Sequence, residues 1–307
     1  MKQYFFLTIC LALLGISQAK AQAAKVALQH DGNITLYNAD ELQKALNASA
    51  DGDIIYLNEG TFQGGVTISK KVSVIGAGEN TIIDGAISIT ASGTFTVPIL
   101  DAMTIKEIIS VENYTSGLTI RKCTFWYFNP QAILENATID RCYQQNQSGR
   151  TGGIALNSNV RQLKVVNSKV SLVYGVPDNV ANTTFINCNI YFSSSTSYYR
   201  TLATFVNCIV HNYYSPLTDS QFSYCLMYKT HNSVNEQNCE YNNSLPWYDK
   251  LFDYTPVKYG TDGTLVGITG GTTPFTLVPS VPTVKNYDLK VDTENKKLNV
   301  NISVESK

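Results

Sequence analysis

Four residues in the middle of the chain have the types and spacing of a polar site: Arg121-Lys122 and Asp140-Arg141. Each pair ends one residue before a cysteine, so the two pairs occupy equivalent places in a repeat. Three cations beside one carboxylate make a small basic patch suited to an acidic sugar. The competing assignment is structural, with Asp140 salt-bridged to Arg121 one repeat away, a surface pair of little energy. A second candidate is aromatic. Three residues after each cysteine-type position stand Trp126, Gln145, Ser171, Tyr191, His211 and Tyr228. If that position faces outward, flat rings with polar tips form a partial ladder for stacking on sugar faces. Tyr198, Tyr199, Tyr213 and Tyr214 lie near it in sequence. The competing assignment is that the tail, with Trp247, Tyr248 and Phe252, covers this column.

The repeat itself is written around Cys123, Cys142, Cys188, Cys208, Cys225 and Cys239, with Ser168 filling the one gap. The unit is about 20 residues long, the period of a solenoid. Positions −5 and −3 from the cysteine are apolar or small, +2 is usually apolar, and −1 is often Asn (Asn167, Asn187, Asn207, Asn238). Alternation predicts short strands with one buried face. The phase slips by one between −3 and the cysteine, which predicts a corner at −1. Asn tolerates the left-handed backbone such a corner needs. Strand, Asn corner, strand, repeated at this period, is the coil of a parallel β-helix, each coil about 4.8 Å from the next.

The cysteines then point inward as a column of small, soft, buried side chains. Disulfides between adjacent coils are the sharper alternative, because an exported chain would permit them. Parallel Cβ vectors hold the Cβ atoms farther apart than a bridge prefers. The column has almost no His near it and no CxxC pair, so no metal site is expected.

The ends of the chain are also legible. Residues 1–21 read as a cleavable signal peptide: Lys2, the apolar run Phe5 to Gly15, then Ala19-Lys20-Ala21. The run is too short to span a bilayer and no other segment qualifies, so no membrane span is expected. Residues 22–50 carry an N-terminal strand and a capping helix. Asn38-Ala-Asp-Glu41 resembles a capping box, with Leu42, Ala45 and Leu46 on one helical face. That helix is placed to cover the open end of a solenoid over 51–245. Residues 246–307 form an irregular segment rich in Pro and Gly. It ends in a predicted hairpin, Tyr287–Val291 and Lys297–Val304.

Residues 38–90 resemble the opening coils of the pectin-lyase-like right-handed β-helix superfamily. The residues that carry this are Gly52-Asp-Ile-Ile-Tyr-Leu-Asn-Glu-Gly60-Thr-Phe62, Val72-Ser-Val-Ile75-Gly76-Ala-Gly78 and Thr81-Ile-Ile-Asp-Gly85. Pro246 to Pro282 is similar to a segment that trails β-helices in secreted proteins of Bacteroidetes-type bacteria. The resemblance implies an all-β, right-handed parallel β-helix of roughly nine to eleven coils. It leaves function open, because this superfold hosts lyases, hydrolases, esterases, adhesins and inert scaffolds. Pectate-lyase-like members imply calcium carboxylates and a basic residue that abstracts a proton beside the uronate carboxyl. Arg121, Lys122, Asp140 and Arg141 are the residues here that such a reading would use. Polygalacturonase-like members imply clustered Asp with His. No Asp-Asp pair occurs, and His30, His211 and His231 lack that context.

Composition excludes other classes. Lys+Arg 23 against Asp+Glu 24 gives a net charge of -1, leaving no cationic excess for nucleic acid. Gly76-Ala-Gly78 is followed by no GKS and no third spaced glycine, so it reads as a turn rather than a phosphate loop. The expectation is a secreted, non-catalytic protein of the periplasm or outer surface of a Gram-negative bacterium. It would hold a polysaccharide or cell-surface glycan through Trp126, Tyr191, His211 and Tyr228, or serve as a scaffold, without a cofactor. The alternatives are a uronate lyase or glycoside hydrolase, with Ca2+ needed only by the lyase, and an adhesin working through the C-terminal hairpin.

Overall fold

The computed structural model describes residues 24–146, 152–175, 183–192, 203–212, 220–228, 235–246, 248–251, 253–279, 283–292 and 297–305. The cysteine repeat folds as a parallel β-solenoid. Strands at −5 to −2 stack into a first sheet that runs through Thr119–Arg121, Thr138–Asp140, Lys164–Val166, Thr183–Ile186, Ala203–Val206 and Gln221–Ser223. Strands after the cysteine, such as Thr124–Pro130, Lys169–Gly175, Asn189–Phe192 and Ile209–Asn212, stack into a second. A third side is formed by Gly93–Thr94, Thr115–Ser116, Leu134–Glu135 and Val160–Arg161. In the later rungs equivalent residues face each other: Phe185 opposes Phe205, and Ile190 opposes Val210. In the second sheet the register shifts between Ile105 and Ile108 and between Ala155 and Leu156.

The solenoid makes about 7 turns. That is fewer than the nine to eleven coils expected, although ten parallel rungs line the first sheet, from Ile54–Leu57 to Glu236–Gln237. Counting repeats treats every rung as a closed turn, and the end rungs are edges.

The corner between the first two sheets lies where the phase slip placed it. Asn167, Asn187, Asn207 and Asn238 have φ of 45°, 52°, 55° and 53°. Ala102, Lys122, Arg141 and Tyr224 take the same conformation, with φ of 56°, 52°, 52° and 55°. Rung-to-rung hydrogen bonds hold these residues in place. Lys122 N–H donates to the Asp140 carbonyl at 2.9 Å and Tyr224 N–H to that of Gln237 at 2.8 Å. The ladder imposes the left-handed turn even where the side chain disfavours it. Tyr224→Asn should therefore stabilise the fold by about 1 kcal/mol, read as a higher urea midpoint with an unchanged slope. An unchanged or lower midpoint would count against corner strain. Gly76 precedes these corners in the column, and a Cβ there would sit 2.2 Å from the Ala102 carbonyl oxygen.

Inside, position −3 builds a continuous file from Leu100, Ile120, Ile139 and Val165 to Phe185, Phe205 and Phe222, all at most 1% exposed. The rings stack at 5.0 Å and 4.7 Å between centroids. The last rung replaces the next Phe with Glu236 and carries Gln237, Glu240 and Tyr241 beside it. A polar final rung suits a solenoid end that must meet water.

At the other end, Leu42–Ala48 is helical and buries Leu42, Ala45 and Leu46, as its sequence predicts. The Glu41 carboxylate accepts the Asn38 N–H at 2.9 Å, one half of the capping box. Two antiparallel strands, Lys25–His30 and Asn33–Asn38, extend the first sheet beyond the parallel rungs. The segment after the solenoid contains a short helix, Tyr248–Leu251. Thr283–Asp292 then pairs antiparallel with Lys297–Glu305.

Candidate functional site

The charged residues at −2 and −1 gather at the corner of the middle rungs. Arg121 faces Asp101 on one side and Asp140 on the other, in register with both. Its guanidinium bonds Asp101 at 2.5 Å. Asp140 instead bonds its own neighbour Arg141, at 2.6–3.1 Å through three contacts. The expected Asp140–Arg121 bridge is thus replaced by two others. Asp101 is only 1% exposed, and a carboxylate held from water draws the nearest cation most strongly. The Asp101 hydrogen bond raises the Arg121 pKa.

Lys122 stands at the corner between the two pairs, 3% exposed. Burial, with Arg141 and Arg121 nearby, lowers its pKa. Asp101 Oδ1 and Arg121 Nε are also buried without a hydrogen-bond partner among the described residues. Three cations against two carboxylates leave one positive charge in a poorly hydrated spot. Chemically this can attract a carboxylate. A lysine pushed toward its neutral form can also accept a proton.

The aromatic column forms, but less openly than its sequence suggests. Tyr191, His211 and Tyr228 stack in register, with centroids 5.3 Å and 4.2 Å apart. His211 and Ser171 are 0% exposed. Tyr191 and Tyr228 are half-buried and Gln145 is exposed, while burial raises the Tyr191 pKa. Trp126 is half-buried against the backbone at Gly152, where an added Cβ would lie 2.5 Å from the indole Cδ1. The expectation that position +3 faces water fails at Ser171 and His211. Tyr198, Tyr199, Tyr213, Tyr214, Trp247 and Phe252 lie outside the described residues.

Part of the cover comes from the C-terminal segment. Leu245, Leu251 and Val266 pack on Ile209 and Leu226, with Tyr228 and Tyr254 at the margin. From there the segment runs along the corner as a strap. Asn207 takes the Thr261 N–H at 2.9 Å, Asn189 holds Leu251 and Ile268, and Asn167 donates to the Gly270 carbonyl at 2.8 Å. Two corner asparagines, Asn167 and Asn207, and the strand residue Asn189 thus have a second task that sequence reasoning missed: their amides grip the strap backbone. The signal was the glycine run 260–271. A Cβ at Gly267 would meet Asn189 Oδ1 at 2.3 Å, and one at Gly271 would meet Asn187 Nδ2 at 2.3 Å. The strap ends beside a cleft of about 410 Å³ lined by Glu59, the 77–80 turn and residues 275–279. None of the sequence-predicted site residues lines it.

The cysteines form the column that follows the corner. Cys123, Cys142, Cys188, Cys208 and Cys225 are buried, Cys239 is partly so, and all six are free thiols. Each donates to the carbonyl two residues back, as Ser168 does at 2.7 Å. The column is thus a second donor to carbonyls that already accept the corner N–H of the preceding rung. Burial pushes the Cys123 thiol up to about 12.

Among the described residues no group of three or more His, Cys, Asp or Glu converges as a metal site, and no helix is long and apolar enough to cross a membrane. Comparison with family models, curated proteins and solved structures finds no match. The fold and the site therefore carry the functional reading alone.

Proposed function

We propose that this chain is an exported, non-catalytic member of the pectin-lyase-like right-handed β-helix group. On this reading it works at the periplasm or outer surface of a Gram-negative, Bacteroidetes-type bacterium. It holds a polysaccharide or cell-surface glycan along its axis, as a rigid scaffold without a cofactor. The observation that carries this reading is the axial stack Tyr191–His211–Tyr228, whose two outer residues are partly exposed. Rings repeated along the axis match the repeated faces of a polymer better than a single small ligand. The charged cluster supports the same reading, because both carboxylates are already engaged by arginines. Ala replacement of Trp126, Tyr191 and Tyr228 together should weaken polysaccharide retention at least tenfold, about 1.4 kcal/mol, on a glycan array and in affinity electrophoresis. Retention equal to wild type, with unchanged circular dichroism, would remove the ring column from function.

One observation favours a second reading, a uronate lyase: the buried Lys122 whose pKa is lowered beside Arg121 and Arg141. Unsaturated products released from a uronate panel would support it. Silence across the panel, with and without Ca2+, would dismiss it.

A further inference from the structure

Cys188, Cys208, Cys225 and Cys239 stand on four successive rungs. The residue after each cysteine donates its N–H to the carbonyl of the cysteine before it: Ile209 to Cys188, Leu226 to Cys208 and Glu240 to Cys225, each at 2.9 Å. The side chains repeat as well. Cys188, Cys208 and Cys225 each reach their own −2 carbonyl at 3.2–3.4 Å and a carbonyl of the preceding rung at 3.4–3.5 Å. Cys239 keeps the first of these contacts, to the Gln237 carbonyl at 3.6 Å. Rungs in register then set consecutive sulfurs about one strand spacing apart, ~4.7–4.9 Å. A zinc–thiolate bond is about 2.3 Å long, and at a similar length an ion held in line between two sulfurs spans about 4.6 Å. Such an ion needs no cavity, because it sits on the line the stacked thiols already define.

We propose that the Cys225–Cys239 pair binds one soft monovalent cation of the Cu(I) or Ag(I) class in linear two-coordinate geometry. Soft thiolates select such ions. Zinc asks for four ligands around a tetrahedron, which stacked side chains on one column do not provide. The charge balance suits the site: two thiols and one monovalent cation give a thiolate–metal–thiol bridge and release one proton. The product is neutral, as an apolar interior requires. Entry is from the end of the column, where Cys239 is partly exposed while Cys225 is buried. Cys123 and Cys142 also occupy adjacent rungs, but both are 0% exposed. Ser168 separates them from the four-thiol run, so they serve as an internal control.

The test is an anaerobic titration of the reduced full chain with Ag(I), in a Cys10→Ser background that removes the seventh cysteine, which lies outside the repeat. It is followed by the sulfur-to-metal ultraviolet band and by competition with a chelator of known affinity. Wild type should take up one tight ion, with two sulfurs around silver by X-ray absorption and no displacement by Zn(II). Cys239→Ser should lose at least tenfold in affinity, and Cys123→Ser should lose none. Serine fits this column at Ser168, and circular dichroism checks that both variants stay folded. Equal affinity in Cys239→Ser, equal loss in Cys123→Ser, displacement by Zn(II) or three or more sulfurs around silver would overturn the proposal. So would a denatured thiol count showing Cys225 and Cys239 already joined as a disulfide.

Discussion

Phe205→Ala should lower the unfolding free energy by about 3–5 kcal/mol. Phe205 is 0% exposed and stacks on Phe185 at 5.0 Å and Phe222 at 4.7 Å, with Phe192 edge-on at 6.2 Å. Its removal strips one ring face from each axial neighbour. The backbone ladder on both sides, Thr183–Ile186 and Gln221–Ser223, keeps the rungs from closing over the gap. Phe222→Ala should cost less, since beyond it stands only the polar rung with Glu236. Solenoid stability is shared between nearest neighbours, so the Phe205 change should also broaden the urea transition as the last rungs separate from the first. Guanidinium or urea unfolding, followed by circular dichroism and by tyrosine fluorescence, measures both effects. A loss under 1 kcal/mol would mean that the Phe file contributes little to cohesion.

What could be read from the sequence divides along a physical line. The inward positions and the Asn corners were legible because they answer to local rules: strand alternation, and the tolerance of Asn for left-handed backbone. Ala102, Lys122, Arg141 and Tyr224 share that corner without the Asn signal, because register with the neighbouring rungs dictates their backbone. The column position of Arg121 was legible, but its partner was not. Asp101 and Asp140 flank it equally in register, and burial of Asp101 together with the Arg141 that engages Asp140 separates them. The covering of the aromatic column was illegible for a different reason. Leu245, Leu251 and Val266 reach Ile209 and Leu226 across a chain separation that no periodicity encodes.

Lys122→Met should raise stability by about 1 kcal/mol, the size of an ordinary single-residue effect. The lysine is 3% exposed, its side chain makes no hydrogen bond or ion pair among the described residues, and it lies in a cluster already rich in cations. Methionine keeps the length and flexibility of its stem and removes the ammonium from a cation-rich corner. The pH dependence gives the sign. A lysine whose pKa is lowered by folding binds its proton less readily when folded than when unfolded, where it titrates near 10.4. Folding of the wild type is therefore penalised while the group must stay charged. The penalty fades as pH rises through the lowered folded value toward ~10.4. The advantage of Lys122→Met should be fully present at neutral pH and shrink on the alkaline side, read from urea midpoints across that window. A loss of stability at neutral pH would instead show that the ammonium is satisfied where it sits. The same variant separates the two functional readings. Under the glycan-holding reading it keeps polysaccharide retention while gaining stability. Under the lyase reading it gains stability and loses turnover, because the group whose burial weakens the fold is then the group that accepts the proton.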